Sequence, residues 1–301
     1  MKIIGTGSGL PSPILKNEEL ETMVDTSAKW IEENLGIKER RIVAPGQRTS
    51  DLATWAGWAA IEDSGVSVRD IDLLIVATAS PDRQAPSTAC LVQDRLGVYN
   101  AACFDVSAVC SGFLYAMSIA DAYISLGHYN NALVIGADTF SKITDWESRD
   151  AVFFGDGAGA AVLGFGGESH FRLYSDGRGR DGFTVAHGET FKMNGRAVYD
   201  TAIKVLPKVI NKVLDDAGLT IDDIDLMIPH QPSIKILEKT AELIGLPFEK
   251  VMTNMDRYAN TAGATIPVIL DEVNKRGELK GNILLCAVGS GWTWGAAILE
   301  V

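Results

Sequence analysis

The 301-residue chain carries 27 Lys and Arg against 39 Asp and Glu, a net charge of −12, with 47% hydrophobic and 22% charged residues. This is the balance of a globular protein with a sizeable core, either one large domain or two closely packed ones. No basic tract occurs, which argues against nucleic acid or an anionic membrane as the main partner, because both need clustered Lys and Arg.

Taken in chain order, MKIIGTGSGLP predicts a short strand followed by a Gly/Pro turn. It lacks the long apolar stretch of a signal peptide, so the expected compartment is the cytoplasm. Residues 61–77 (IEDSGVSVRDIDLLIVA) predict the end of an amphipathic helix, a Gly cap, a short acidic loop and a buried strand. The same grammar returns in residues 214–230 (LDDAGLTIDDIDLMIPH), with Asp63 matching Asp216, Gly65 matching Gly218, and Asp70 to Leu73 matching Asp223 to Leu226 at one offset. Two such halves, 1–166 and 167–301, predict a duplicated α/β protein with largely parallel sheets. NALVIGAD (131–138) and NILLCAVG (282–289) extend the match as buried strands, and CFDVSAVCSG (103–112) loosely matches TNMDRYANTAG (253–263), placing Cys110 opposite Asn260.

Cys110 is predicted at a strand-to-helix turn, ahead of a buried helix ending at Gly127. Unpaired N–H groups and the helix dipole there favour a thiolate and can face an oxyanion. By itself such a residue is more often a core cysteine. His230 follows a predicted strand end, where α/β sheets place ligand-facing residues. Asn260 lies in a small-residue turn entering a helix with Pro267 in its first turns, where an Asn alone would be a helix cap. The glycine clusters GTGSG (5–9) and FGDGAGAAVLGF (154–165) precede no helix, which removes a phosphate loop and leaves tight strand connections. Cys90, Cys103, Cys110 and Cys286 have no CxxC spacing and read as reduced thiols with no zinc site. The uncharged run 282–299 is broken by Gly289, Gly291 and Gly295 and reads as two strands around a turn, not a membrane span.

Together DVSAVCSGF, PHQPS, YANTAGATIP, GDGAGAAVL, the terminal GSGWTWG and VDTSAKWIEENLGIKERR (24–41) resemble the 3-oxoacyl-ACP synthase III family, in the right order over nearly the whole chain. The resemblance implies the thiolase fold, two α/β halves in a five-layer α-β-α-β-α arrangement. It further implies a decarboxylative condensation: Cys110 takes an acyl group from acyl-CoA, then His230 and Asn260 stabilise the enolate formed when a malonyl thioester, malonyl-ACP or malonyl-CoA, loses CO₂. The backbone N–H groups of Cys110 and Ser290 form the oxyanion hole. Thr26, Trp30, Arg149 and Ser233 contact CoA or pantetheine, with Trp30 and Arg149 on the two faces of the adenine. Ala85 (from the other subunit of a homodimer), Phe154 and Val288 line the acyl pocket, and Lys235 helps dock acyl carrier protein. No metal or resident cofactor is implied.

The chain departs from the family pattern at several positions. Asn34 stands where Arg is usual, Ser233 replaces the Asn of HQAN, Glu242 stands where Lys is expected, and Val288 stands where Phe is frequent. Residues 166–195 look shortened, and Ala85 is small where a bulky pocket-closing residue is common, which predicts primers longer than acetyl. These departures leave open a non-decarboxylating acyltransferase with the same three residues. A degradative thiolase needs a second active-site cysteine, and Cys286 is misplaced by one residue for that role. A non-catalytic subunit is the remaining alternative, although such subunits typically lose the nucleophile.

Overall fold

The structure, a computed structural model, describes residues 1–301. Its strands are β1 (Lys2–Gly9), β2 (Ile14–Lys16), β3 (Glu39–Arg41), β4 (Leu73–Ala77), β5 (Ala102–Val106), β6 (Asn131–Thr139), β7 (Asp156–Gly164), β8 (Ser169–Ser175), β9 (Phe183–Val185), β10 (Phe191–Met193), β11 (Leu226–Pro229), β12 (Asn282–Gly289) and β13 (Thr293–Glu300). The helices are α1 (Asn17–Leu20), α2 (Ala28–Leu35), α3 (Thr49–Ser64), α4 (Thr88–Leu96), α5 (Gly112–Ser125), α6 (Gly195–Ala217), α7 (Ile234–Ile244), α8 (Met255–Tyr258) and α9 (Thr265–Lys275). No helix is long and apolar enough to cross a membrane.

Two mixed sheets organise these elements, ordered β1-β7-β6-β4-β5 and β11-β12-β13-β8. β4, β6 and β7 are buried almost throughout because helices cover both faces of the sheet. Between the sheets, α5 and α9 supply Phe113, Leu114, Met117, Ile266, Ile269 and Leu270 to one core. Outside the first sheet, α3 and α4 bury Leu52, Ala56, Val92 and Leu96. Outside the second, α6 and α7 bury Leu206, Ile210, Ile236 and Leu237. Five layers result, helix–sheet–helix–sheet–helix, as the resemblance implied.

The duplication is built into hydrogen bonds as well as pattern. α3 and α6 both end on a left-handed glycine, Gly65 and Gly218, each at φ 67°, a conformation that suits a residue without Cβ. A 3₁₀ turn follows in both halves, then β4 pairs parallel with β6, and β11 with β12. Asn131 donates its amide to the Asp70 carbonyl at 3.0 Å, and Asn282 donates to the Asp223 carbonyl at 3.0 Å. Asp72 and Asp225 accept from the backbone N–H groups of the same two asparagines.

One pairing is corrected. Val109 and Ala262, both non-glycine residues with positive φ (47° and 49°), open equivalent 3₁₀ turns before α5 and α9. At that offset Cys110 faces Gly263 as its counterpart, and Asn260 lies three residues upstream. Two local readings are also corrected. The first glycine cluster lies within β1, not in a turn, because a Cβ at Gly5, Gly7 or Gly9 would come within 2.6 Å of α3 carbonyl oxygens. Most of the second cluster, Gly157 and Gly159 included, likewise lies within β7. By contrast, 282–299 forms the expected pair of strands, β12 and β13.

Candidate active site

The two helices between the sheets begin at the turns that carry the site, and each turn is seated by the other half. A Cβ on Gly136 of β6 would lie 2.2 Å from the Gly263 carbonyl oxygen. A Cβ on Gly289 of β12 would lie 2.9 Å from the Ala108 carbonyl oxygen and 3.0 Å from the Ser111 nitrogen. Each half therefore offers a glycine notch to the turn of its counterpart, and the site forms where the two turns meet.

There, one cavity of about 230 Å³ is lined by Cys110, His230, Asn260, Phe154, Val288, Ser290, Ser233, Trp30 and Lys235 among others. Cys110 is held by a turn in which Val109, β-branched, sits in the left-handed region, a conformation that persists only where surrounding structure enforces it. Neither the Cys110 nor the Ser290 backbone N–H donates to a protein acceptor. Two such free donors on turns packed against one another form a candidate anion site.

The thiol itself departs from expectation. Burial and then the buried Asp138 carboxylate push it far above the ordinary cysteine value, outweighing its own backbone N–H. The helix start at α5 is present, but it does not produce a resting thiolate. Asp138 was not singled out from sequence. Its Oδ1 accepts from the Thr78 and Ser80 hydroxyls and the Ala79 and Ser80 N–H groups, and its Oδ2 accepts from Gly263 N–H at 2.9 Å. Burial raises it to about 6 while these donors pull it down. It clamps the end of β6 to the turn before α9. The only sequence sign was one acidic residue closing an otherwise apolar strand.

His230 leaves β11 with its N–H bonded to the Cys286 carbonyl at 2.8 Å. Burial depresses the imidazole to about 3, so it is neutral at physiological pH. Its Nδ1 lies 2.8 Å from the Thr265 hydroxyl, which also lies 3.1 Å from the Ala262 carbonyl oxygen. Thr265 has a single hydroxyl proton. Given to Nδ1, it leaves Nε2 as a donor; given to Ala262, it leaves Nε2 as an acceptor. Asn260 is oriented without ambiguity: its Oδ1 accepts from Ala262 N–H at 2.8 Å, leaving the amide Nδ2–H₂ to donate. Its loop is sewn to residues 153–155 by Asn260 N–H to the Phe153 carbonyl (3.1 Å) and Gly155 N–H to the Asn260 carbonyl (3.0 Å).

If Nε2 must act as a donor, Thr265→Val will slow the His230-dependent step about tenfold, the scale of one lost hydrogen bond, and Thr265→Ser will restore it. Single-turnover kinetics separate this from thiol chemistry, which Thr265 does not touch.

The remaining sequence candidates divide. Trp30 lines the mouth, with the Arg149 guanidinium stacked on its ring at 4.4 Å from the centroid, so the two faces expected to hold an adenine touch each other and Arg149 must swing away for a base to enter. Ser233 is buried at the start of α7, and Lys235 lies at the mouth with its ammonium donating to Asn34 Oδ1. Phe154 and Val288 are in the cavity wall. Ala85 is exposed and does not line the cavity of this chain, and Thr26 lies outside it with a buried, unpartnered hydroxyl. Cys286 is buried in the core against α6 and α7, its thiol pushed up to about 12, and takes no part in the cavity. Phe183 and Met193, not named from sequence, bring residues 166–195 into the cavity wall, the segment that the resemblance assigned to the acyl pocket.

A profile described as 3-oxoacyl-[acyl-carrier-protein (ACP)] synthase III matches residues 104–181, and the corresponding C-terminal profile matches residues 214–301. The β-ketoacyl-[acyl-carrier-protein] synthase III of Clostridium acetobutylicum is 45% identical, covering 100% of this chain and 98% of its own. That of Rhizorhabdus wittichii is 46% identical over 99% and 98%. The crystal structure of 3-oxoacyl-[acyl-carrier-protein] synthase III from Aquifex aeolicus superposes with a TM-score of 0.97 at 41% identity, covering 100% of this chain and 99% of that one.

Proposed function

The chain belongs to the 3-oxoacyl-ACP synthase III family, and on that premise we propose that it condenses an acyl-CoA primer with malonyl-ACP through an acyl-cysteine on Cys110. The observation that carries this reading is one apolar cavity faced by the Cys110 thiol, two unbonded N–H groups, a neutral His230 and the Asn260 amide.

In this course the Cys110 sulfur attacks the thioester carbonyl, and the oxyanion rests on the N–H groups of Cys110 and Ser290. Collapse expels CoA, which leaves as the thiol with the proton Cys110 gives up. The malonyl thioester follows. Its bond to the carboxylate breaks, CO₂ leaves, and the electron pair moves to the thioester oxygen, held by His230 Nε2–H and Asn260 Nδ2–H. The enolate carbon then attacks the acyl-cysteine carbonyl, the same two N–H groups hold the second oxyanion, and the released Cys110 thiolate recovers a proton from solvent. Two neutral donors suit this work because neither can quench the carbanion by protonating it.

Trp30, Arg149, Ser233 and Thr26 are assigned to the CoA arm, and Lys235 to the carrier protein. The protein acts in the cytoplasm as a homodimer, with Ala85 of each copy reaching the other's acyl pocket. A small residue there leaves room, so butyryl-, hexanoyl- or octanoyl-CoA should acylate Cys110 faster than acetyl-CoA. Intact-protein mass spectrometry over an acyl-CoA series measures this directly, and acetyl outpacing all of them would overturn it. Adding malonyl-ACP to the acylated protein tests the main reading: release of a 3-oxoacyl product with CO₂ supports it, whereas an adduct indifferent to malonyl would establish the non-decarboxylating acyltransferase.

A further inference from the structure

Between β8 and α6 the chain makes an excursion, Asp176–Asn194, that joins neither main sheet; β9 and β10 pair only with one another. It delivers Phe183 and Met193 to the cavity wall, with Phe191 stacked on Phe183 at 5.6 Å and set edge-on to Phe154 at 4.9 Å. What fixes this excursion is the turn between β12 and β13. Asp176 and Trp292 exchange two backbone hydrogen bonds at 2.8 Å each. The Trp292 indole occupies a notch that exists only because residues 179 and 182 are glycines; a Cβ on Gly182 would lie 2.3 Å from the ring. Finally, the Ser290 hydroxyl donates to the Phe183 carbonyl at 2.6 Å.

The opposite side of this turn is fastened to the Cys110 turn. The Ser111 hydroxyl donates to the Thr293 carbonyl at 3.0 Å, the Thr293 hydroxyl lies 3.2 Å from the Ala108 carbonyl, and Gly289 packs against Ala108 and Ser111. One short turn thus carries the free Ser290 N–H on its backbone and grips the acyl-side wall through its side chains.

We propose that the Ser290 side chain is a specificity-determining positioning residue: its hydroxyl fastens the Phe183 wall of the acyl pocket to the turn that supplies an oxyanion donor, so that primer length is read in the rate of Cys110 acylation. The inference rests on the acyl-cysteine reading above. A chain long enough to press on Phe183 transmits its fit through this hydrogen bond to Ser290 N–H, and donor position enters the barrier steeply. Acetyl, the shortest primer, presses on the wall least and depends least on the link.

The test is the single-turnover acylation rate constant and half-saturation concentration for acetyl-, butyryl-, hexanoyl- and octanoyl-CoA. These are measured by intact mass on the full chain, on Ser290→Ala and on Gly182→Ala, with melting curves for each. Ser290→Ala keeps the backbone N–H and loses only the hydroxyl; Gly182→Ala loosens the excursion by pushing the Trp292 indole of the same turn from its notch, while the Ser290 hydroxyl remains. The expected result in both variants is a fall of about fivefold or more in the ratio of the maximal rate for the best primer to that for acetyl, with half-saturation little moved. An equal loss for all primers, or an unchanged ratio of rates, overturns the proposal. Should Ser290→Ala not fold, the Gly182→Ala ratios decide alone. A wild-type protein that forms no adduct with any donor overturns the acyl-cysteine reading first, and is thereby distinguishable from failure of this inference.

Discussion

Cys110→Ala is expected to form no acyl adduct with any acyl-CoA and to lose condensation by about four orders of magnitude or more, while still releasing CO₂ from malonyl-ACP. Removal of a nucleophile that acts as one unit with its partners costs on this scale. The residual decarboxylation follows from geometry. His230 and Asn260 are positioned by Thr265, Ala262 and the strand ends, none of which depends on the thiol. Mass spectrometry and radiolabelled malonyl release read the two effects separately. The wild-type thiol carries its own signature. Because burial and Asp138 hold it far above the ordinary value, iodoacetamide labelling should climb about tenfold per pH unit with no plateau below pH 9. Slow labelling at neutral pH would follow from this environment and would not by itself identify a non-catalytic subunit.

The second large effect belongs to the enolate donors. His230→Ala and Asn260→Ala should each leave acylation of Cys110 within a few fold of wild type and slow discharge by malonyl-ACP about 10²- to 10³-fold, the usual cost of one preorganised oxyanion donor. Stable acyl-enzyme would accumulate in both. Loss of acylation in step with discharge would show that His230 serves the thiol instead. The pH profile separates the roles further. Protonation of a group depressed to about 3 by burial occurs well below the working range, so His230 should give the discharge rate no acid limb near pH 6.5. Because burial raises Asp138 to about 6, only a limb that survives Asp138→Asn would mean that His230 titrates as an ordinary imidazole and that the cavity is wetter than its lining indicates.

Much of the architecture was legible because the signals were local. A glycine cap, an acidic turn and an apolar strand recur at one offset, and each imposes its structure over a few residues, so the repeated unit around Gly65 and Gly218 emerged from the pattern alone. The equivalence of the two turns did not. It rests on positive φ at Val109 and Ala262, residue types that ordinarily avoid that region, and is enforced by glycines far away in sequence, Gly136 and Gly289. The cysteine's environment was half legible: the helix start could be read, whereas Asp138 acts on the thiol only because β6 and the turns converge. Phe183 escaped notice for the same reason, since a lone aromatic in a glycine-rich stretch acquires meaning only from Phe154, Phe191 and Ser290. Cys286 was legible as structural from parity along its strand alone.

The mutual seating of turns on glycine notches makes the site turn of each half depend on the other half. A chain cut in the link after β7 would give two pieces, each holding a strand shaped for a turn it does not own. Residues 1–166 would keep the nucleophile without the Ser290 N–H, and residues 167–301 would keep both enolate donors without the Gly136 notch and the Asp138 clamp that set the Asn260 loop. Activity in a mixture of such fragments is therefore a direct readout of one-to-one complementation, and a half grafted onto a foreign partner would be silent unless that partner brought a glycine at the matching place in its strand.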